Sequence, residues 1–171
     1  YSYTEYTQRK EVPMENFKNW VERSNIFSYL GVHYVDVMRY VTGAVPKRVL
    51  ASGQKRFLRK EGIDTYDSIQ CNIEWETNTK ISFNQFIICS WVESNKSSSM
   101  SKQDFHIVGT KGRLDCEQKE RGLKILTDDE FTEEVNPDFT KIYSFKGSFI
   151  FEGYGIESNN TVSYTHLTLP T

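Results

Sequence analysis

Between residues 68 and 76 the chain alternates without a break. Ile69, Cys71, Ile73 and Trp75 take the odd positions; Ser68, Gln70, Asn72, Glu74 and Glu76 take the even ones. Successive side chains of a strand point to opposite faces, so a period of two describes a strand with one covered face and one wet face. A covered face needs a cover. Within Ile26–Gly43, Tyr34, Val37, Met38 and Val41 fall at i, i+3, i+4 and i+7, one apolar stripe of a helix. Gly43 suits the left-handed position past a helix end, and Pro46 follows as a stop. Gly31 weakens helical preference, so the regular helix is expected from about residue 31, with an irregular entry before it. The two periodicities predict each other: Ile69, Cys71, Ile73 and Trp75 should lie under the stripe of this helix.

The remaining chain is rich in strand signals. Residues Tyr1 to Val12 carry tyrosines among polar residues and read as a strand stopped by Pro13. Phe17, Trp20 and Val21 suggest a short helix over Met14 to Arg23, ended by Ser24-Asn25. Lys47 to Leu58 is a further strand candidate. Thr77-Asn78-Thr79 is a hairpin turn, and Lys80 to Trp91 returns as the partner strand. The apolar phase changes within that strand, from Ile81 and Phe83 to Phe86 and Ile88, which predicts a bulge near Asn84-Gln85. A polar, serine-rich loop spans Asn95 to Ser101. Strands follow at Asp104 to Val108 and Gly112 to Glu117 across Gly109-Thr110-Lys111, then at Leu123 to Leu126 and Phe131 to Val135, with a turn at Asn136-Pro137-Asp138. Helices early and strands in a run describe an α+β fold with an antiparallel-rich sheet.

Several functions are excluded by what the 171 residues contain. Lys and Arg number 21 against 23 Asp and Glu, a net charge of −2. That balance gives no footprint for nucleic acid and no polybasic membrane surface. No apolar run approaches the roughly 20 residues of a membrane helix. Cys71, Cys89 and Cys116 are odd in number and far apart, which fits neither a disulfide framework nor zinc and suits a reducing, cytoplasmic setting. His33, His106 and His166 are too scattered to hold a metal. No GxGxxG, no GxxxxGK[ST] and no βαβαβ alternation occurs, so a nucleotide site is not expected in this chain. Gly153-Tyr154-Gly155 lacks the strand-to-helix unit that would make it one.

His33 is the residue that carries chemistry. It lies close to the expected helix start and off the apolar stripe. The field of a helix N-terminus favours a neutral ring, which can donate and accept at once as proton transfer requires. Asp36, one turn on, could orient it. A buried histidine with one hydrogen bond is the plainer alternative on spacing alone.

Two stretches resemble a known family. Gly31-Val32-His33-Tyr34-Val35-Asp36-Val37-Met38-Arg39-Tyr40-Val41-Thr42-Gly43 resembles the G-x-H-x-x-D…G helix of the Gfo/Idh/MocA oxidoreductases, the glucose–fructose oxidoreductase and inositol dehydrogenase relatives. Phe105-His106-Ile107-Val108-Gly109-Thr110-Lys111-Gly112-Arg113-Leu114 is similar to that family's strand–G-T-x-G–strand turn. The resemblance runs from about residue 3 to about residue 158. It implies two domains, of which only the second is here: an open, mostly antiparallel sheet with helices on one face. That domain supplies substrate contacts and often a dimer surface. The missing Rossmann domain would carry GxGxxG and a catalytic Lys, and would bind NAD or NADP. The implied reaction moves hydride between nicotinamide and a sugar, polyol or related carbonyl. This chain alone is expected to bind no dinucleotide and to be inactive.

The resemblance assigns proton transfer to His33 and substrate contacts to Tyr29, Asp36, Arg9 and Trp20. Arg9 and Trp20 also have ordinary readings, a solvated strand residue and a core residue. Many members of the family carry Asp four residues before the His, where this chain has Tyr29, and a phenol with its pKa near 10 is a poor base at neutral pH. Residues 1–158 are read as one truncated domain, and 159–171 as a non-native or disordered tail, so His166 belongs to no site. A contrasting reading is a non-catalytic sheet module that self-associates. The polar face of Ser68, Gln70, Asn72 and Glu74 counts against a hydrophobic dimer surface. An unrelated sugar-binding module would rest on aromatic content alone.

Overall fold

The computed structural model describes residues 1–117, 122–129, 133–135, 141–145 and 148–152. The turn at Asn136-Pro137-Asp138, residues Phe131 and Thr132, Gly153-Tyr154-Gly155, His166 and the 159–171 tail lie outside the described residues. Two compact units divide the chain, residues 1–134 and 135–171. In the second, β9 (Lys141–Phe145) and β10 (Ser148–Glu152) form an antiparallel hairpin.

The first unit is built on an open sheet of β1 (Ser2–Arg9), β2 (Val45–Gln54), β3 (Ser68–Glu76), β4 (Ser82–Glu93), β5 (Ser101–Gly109), β6 (Gly112–Glu117) and β7 (Gly122–Thr127), with β8 (Glu133–Val135) beside β7. The spatial order is β2-β3-β4-β1-β5-β6-β7-β8. β1 runs parallel to β4 and antiparallel to β5; β2–β3, β3–β4, β5–β6 and β6–β7 are antiparallel. The α+β expectation of an open, mostly antiparallel sheet with its helices on one face holds. Both hairpin turns fall as expected. Gly112, at φ 157°, closes the second of them where a Cβ would lie 2.3 Å from the Leu126 carbonyl oxygen.

Asn25 starts the main helical run, its Oδ1 accepting from Ser28 N–H at 2.9 Å. The run opens as a π-helical turn over Phe27–Gly31 and becomes regular as α1 (Val32–Thr42), ending at Gly43 with φ 64°. The irregular entry expected before residue 31 is this π turn. Gly31 has a packing reason as well: a Cβ there would lie 2.7 Å from the Phe27 ring and 3.0 Å from Cys89 Sγ on β4. The 14–23 region is two short turns, π-helical over Val12–Asn16 and 3₁₀ over Val21–Arg23, rather than one helix. β2 ends at Gln54, and Phe57–Lys60 form a short α2. Asp67, remote in sequence and buried, accepts from the backbone N–H groups of Arg56, Phe57 and Leu58.

Cys71, Ile73 and Trp75 are buried, as the alternation requires, together with Ile87, Cys89 and Trp91 of β4, but the start of β3 departs from it, with Ser68 buried and Ile69 half-buried. Two expectations need correction. The cover of α1 is Leu30, Tyr34, Val35 and Met38, not the full 34/37/38/41 stripe; Val37 and Val41 are exposed. α1 is regular over Val32–Thr42, and the side it turns to the sheet carries Tyr34, Val35 and Met38, so Val37 and Val41 fall beyond the edge of the buried arc. The β3–β4 register is also continuous from Ser82 to Ser90, without the bulge expected at Asn84-Gln85. Gln85, not Phe86, faces the core. It is fully buried and accepts the Trp75 indole N–H at 3.0 Å. Trp91 is satisfied in the same way by Gln8, at 2.9 Å.

Met38→Ala and Ile73→Ala should each lower the unfolding free energy by about 2–5 kcal/mol. Val41→Ala should fall within about 0.5 kcal/mol of zero. Chemical denaturation of the three variants checks this, and a large loss at Val41 would contradict the placement of α1.

Candidate functional site

The outward side of the helical run carries the residues with chemistry. His33 and Asp36 are both exposed, and neither has a hydrogen bond or ion pair among the described residues. The expected His33–Asp36 contact is therefore not made. The helical run also starts seven residues before His33. The free N–H groups of a helix start then lie near Ile26 to Ser28, and the helix-start field inferred for His33 is displaced to that end.

Tyr29, one turn before His33, is half-buried in a cluster of three rings. Its centroid lies 5.1 Å from Phe17 and 5.0 Å from Trp20, and Phe17 and Trp20 are 4.6 Å apart. Tyr29 and Phe17 pack against the core, whereas Trp20 stands outside that core cluster, held by the other two rings. The fold thus brings together two of the residues chosen from sequence, and adds Phe17, which sequence reasoning had used only as a helix marker. The i, i+3 spacing of Phe17 and Trp20 was the signal for it.

Arg9 lies elsewhere. Its guanidinium donates to the carbonyl oxygens of Ser97 and Ser99 and pairs with Glu11 at 3.2 Å. It fastens the serine-rich loop to the end of β1, so its side chain is committed to structure.

Beside His33 and Tyr29, the outer side of α1 exposes Val32 (45%), Val37 (39%), Tyr40 (90%) and Val41 (59%). An apolar strip around an unpartnered imidazole marks a surface fit to be covered.

The opposite face of the sheet is divided. On β5 and β6, His106 Nδ1 lies 2.5 Å from Asp115 Oδ1, Arg113 Nε donates to the same oxygen, and Tyr3 stacks on the imidazole at 6.2 Å. Lys102 pairs with Glu5 and Asp104. Across β1 to β4 the face is mixed, with apolar residues gathered at its centre. A groove of about 540 Å³ is lined by Tyr3, Leu50, Gln70, Asn72, Phe86 and Ile88 among others, with Leu50 and Phe86 exposed. The expected wet face is seen on β3, while Leu50 of β2 and Phe86 and Ile88 of β4 add apolar area between polar neighbours such as Arg48 and Ser52. Among the described residues no helix is long and apolar enough to cross a membrane, and no cluster of His, Cys, Asp and Glu could hold a metal.

A family model for the GFO/IDH/MocA C-terminal domain matches residues 2–115. The chain belongs to this family. Among solved structures, it is similar to an oxidoreductase from Sinorhizobium meliloti, at 16% identity and TM-score 0.61 over 81% of this chain and 35% of that one. An inositol dehydrogenase homolog from Azotobacter vinelandii, complexed with NADH and myo-inositol, matches at 14% identity and TM-score 0.62, over 81% and 35%. The UDP-N-acetylglucosamine 3-dehydrogenase GnnA from Acidithiobacillus ferrooxidans matches at 17% identity and TM-score 0.54, over 78% and 37%. At these identities the likeness is one of fold. The chain spans little more than a third of the length of these structures. No curated protein matches it.

The charged cluster has a testable electrostatic consequence. Burial pushes the Asp115 carboxyl up, but the Arg113 guanidinium and the His106 ring bonded to it outweigh this and hold it below the usual carboxylate value. A carboxylate whose pKa is lower folded than unfolded adds stability above the unfolded value, near 3.9, and loses it as pH falls through the folded one. Asp115→Asn should therefore be less stable than the parent at pH 7, with the gap closing below about pH 4. Thermal melts of both proteins from pH 7 to pH 2.5 check this; a gap independent of pH would show that the ion pair contributes nothing.

Proposed function

We propose that this chain is the substrate-binding half of an NAD(P)-dependent oxidoreductase acting on a sugar, polyol or related carbonyl, and that His33 is its proton-transfer group. The observation that carries the proposal is the exposed, unpartnered imidazole of His33 on the outer side of α1, one turn from the Tyr29 ring cluster and amid apolar residues that lack a cover. Membership of the family supports the same reading.

The chain's own residues do not suit a dinucleotide. The parallel pairing of β1 with β4 joins strands separated in sequence by α1, β2, α2 and β3, and no glycine-rich strand-to-helix turn is found among the described residues. Such a turn, opening a helix, is what binds pyrophosphate. On this reading the nicotinamide would be held by a separate Rossmann domain and would supply the acceptor for the hydride of the substrate carbon. What this chain contributes is a proton acceptor and a wall. As the carbinol C–O bond becomes C=O, the hydroxyl proton passes to a neutral His33 ring and then to solvent. Tyr29 hydrogen-bonds the substrate. Trp20, outside the core, offers a ring face to the apolar side of a sugar or polyol. Asp36 borders the same surface and adds a hydrogen-bond acceptor. Arg9, held by the serine loop, takes no part.

In the intact two-domain protein, His33→Ala should lower kcat by about 10²–10⁴-fold, the usual contribution of a positioned acid–base group. Tyr29→Phe and Trp20→Ala should act mainly on KM. Reduction of NAD⁺ and NADP⁺ with a panel of cyclic polyols and aldoses measures this. The 171-residue chain by itself should show no saturable change in NADH or NADPH fluorescence. Normal turnover by His33→Ala would make the histidine structural. Loss of turnover in Tyr29→Phe alone would move the proton path to the phenol.

A second reading is favoured by the exposed groove of Leu50 and Phe86: the open sheet face joins a second copy of this chain, with or without catalysis. Phe86→Lys places a charge in the centre of that groove. If the parent is a dimer in sedimentation equilibrium, this variant should be monomeric. A monomeric parent at tens of micromolar would rule the reading out.

A further inference from the structure

Gln85 breaks the pattern of the core. It occupies a helix-facing position of β4 between Phe83 and Ile87, fully buried where an apolar residue would pack without a polar debt. Its amide is satisfied at both ends by different elements. Oε1 accepts from the Trp75 indole N–H at 3.0 Å, and Nε2 donates to the carbonyl oxygen of Tyr34 at 3.1 Å. Tyr34 sits in the first turn of α1, next to His33. A helical carbonyl has a second lone pair to offer after its intrahelical bond, and Gln85 takes it. The Tyr34 hydroxyl is held as well, donating to Gln103 on β5 at 3.1 Å, and Gly31 lies against Cys89. The first turn of α1 is thus pinned to the sheet on its inner side, while the imidazole stands on the outer side with nothing to hold it.

We propose that Gln85 is a positioning residue for His33, acting through the Tyr34 carbonyl. This rests on the proposed role of His33, a group that works only if its distance to the substrate is fixed. A displacement of about 1 Å can cost on the order of 10²-fold in rate. Packing by apolar side chains alone would let the helix slide along β4. A directional bond from a buried strand residue to one backbone atom sets its register and rotation.

Two substitutions separate this role from simple packing. Gln85→Met keeps the volume and removes both bonds. Gln85→Glu makes them conditional. A neutral carboxylic acid accepts from Trp75 through its carbonyl oxygen and donates its O–H to Tyr34, reproducing the amide. An ionised carboxylate cannot donate and sets a charge against the carbonyl oxygen. Burial raises the pKa of such a group above the ordinary glutamate value near 4.3, so the change falls within the range of a folded protein.

The measurement is a pH series of ¹H–¹⁵N and histidine ¹H–¹³C spectra on the 171-residue chain, each variant compared with the parent. Gln85→Glu should match the parent at low pH in the Tyr34 and Val35 amides, the Trp75 indole N–H and the His33 ring. As the acid ionises, these signals should move together towards their positions in Gln85→Met. The inference is overturned if only the Trp75 indole responds, if the His33 ring keeps its parental shifts throughout, or if Gln85→Glu is unfolded even at low pH. A Gln85→Met chain too unstable to fold leaves the Gln85→Glu series to decide. These spectra require no turnover. A fully active His33→Ala enzyme would refute the role of His33 and leave the Gln85–Tyr34 coupling standing; silent spectra beside an inactive His33→Ala would refute the coupling alone.

Discussion

The insertion of β1 between β4 and β5 is the constraint on which the first unit depends. The first residues of the chain pair with residues 85–93 on one side and 101–107 on the other. β1 is consequently buried along most of its length, and its Gln8 reaches across 83 positions of sequence to satisfy the Trp91 indole. Remove β1 and the sheet separates into the β2–β3–β4 meander and the β5–β6–β7 meander, each with an open edge. Both faces of function are split by the same removal. The ring cluster follows directly from β1 in sequence, and on the other face Tyr3 of β1 separates the apolar groove from the charged cluster. Pairings of this sequence separation come at a high entropic cost of loop closure, which makes a slow-folding sheet.

That central pairing was not legible in the sequence. Alternation announces a strand but not its neighbours, and a parallel partner some 80 residues away leaves no local mark. Local signals fared better. The 68–76 alternation, the hairpin at Thr77-Asn78-Thr79, the G-T-x-G turn and the Gly43 stop all correspond to what the chain does, because each is decided by residues within a few positions of one another. The corrections have separate causes. Tyr34, Val37, Met38 and Val41 do form one apolar stripe, but the side of α1 turned to the sheet carries Tyr34, Val35 and Met38, and the stripe alone does not tell which of its edges is covered. The bulge was read from the change of apolar phase within β4; instead Phe86 lies on the open face and Gln85 faces the core, with the Trp75 indole as its partner. Of the site, the sequence marked His33, Tyr29 and Trp20 but not what holds them. Arg9 looked available because its partners, the carbonyls of Ser97 and Ser99, lie 88 and 90 residues away.

The two faces of the sheet divide the work by how they are covered. The helix side is covered by α1, α2 and the short turns, and the far side of α1 exposes Val32, Val37, Tyr40 and Val41. The open side has no helix over it. Leu50 and Phe86 of β2 and β4 give it apolar area, and ion pairs lie on both sides of that area, Arg48 with Glu74 on β2 and β3 and Lys102, His106 and Arg113 with their acids on β1, β5 and β6.

The exchange of Asp for Tyr at position 29 can be understood from the ring cluster. A carboxylate there would sit one turn from His33 and hold a positive charge on the ring through the proton-transfer step. A tyrosine gives up that charge and gains contacts with Phe17 and Trp20 that fasten the 12–23 segment to the helical entry. Under the proposed reading, the imidazolium formed during oxidation must find its counter-charge elsewhere. Asp36 is the nearest acid along the helix, exposed and uncommitted to any partner among the described residues. Its use needs only a rotation of side chains on an exposed surface, a motion far cheaper than remodelling the ring cluster. On that reading the departure leaves proton transfer to His33, with Asp36 as the acid within reach along the same exposed side of the helix.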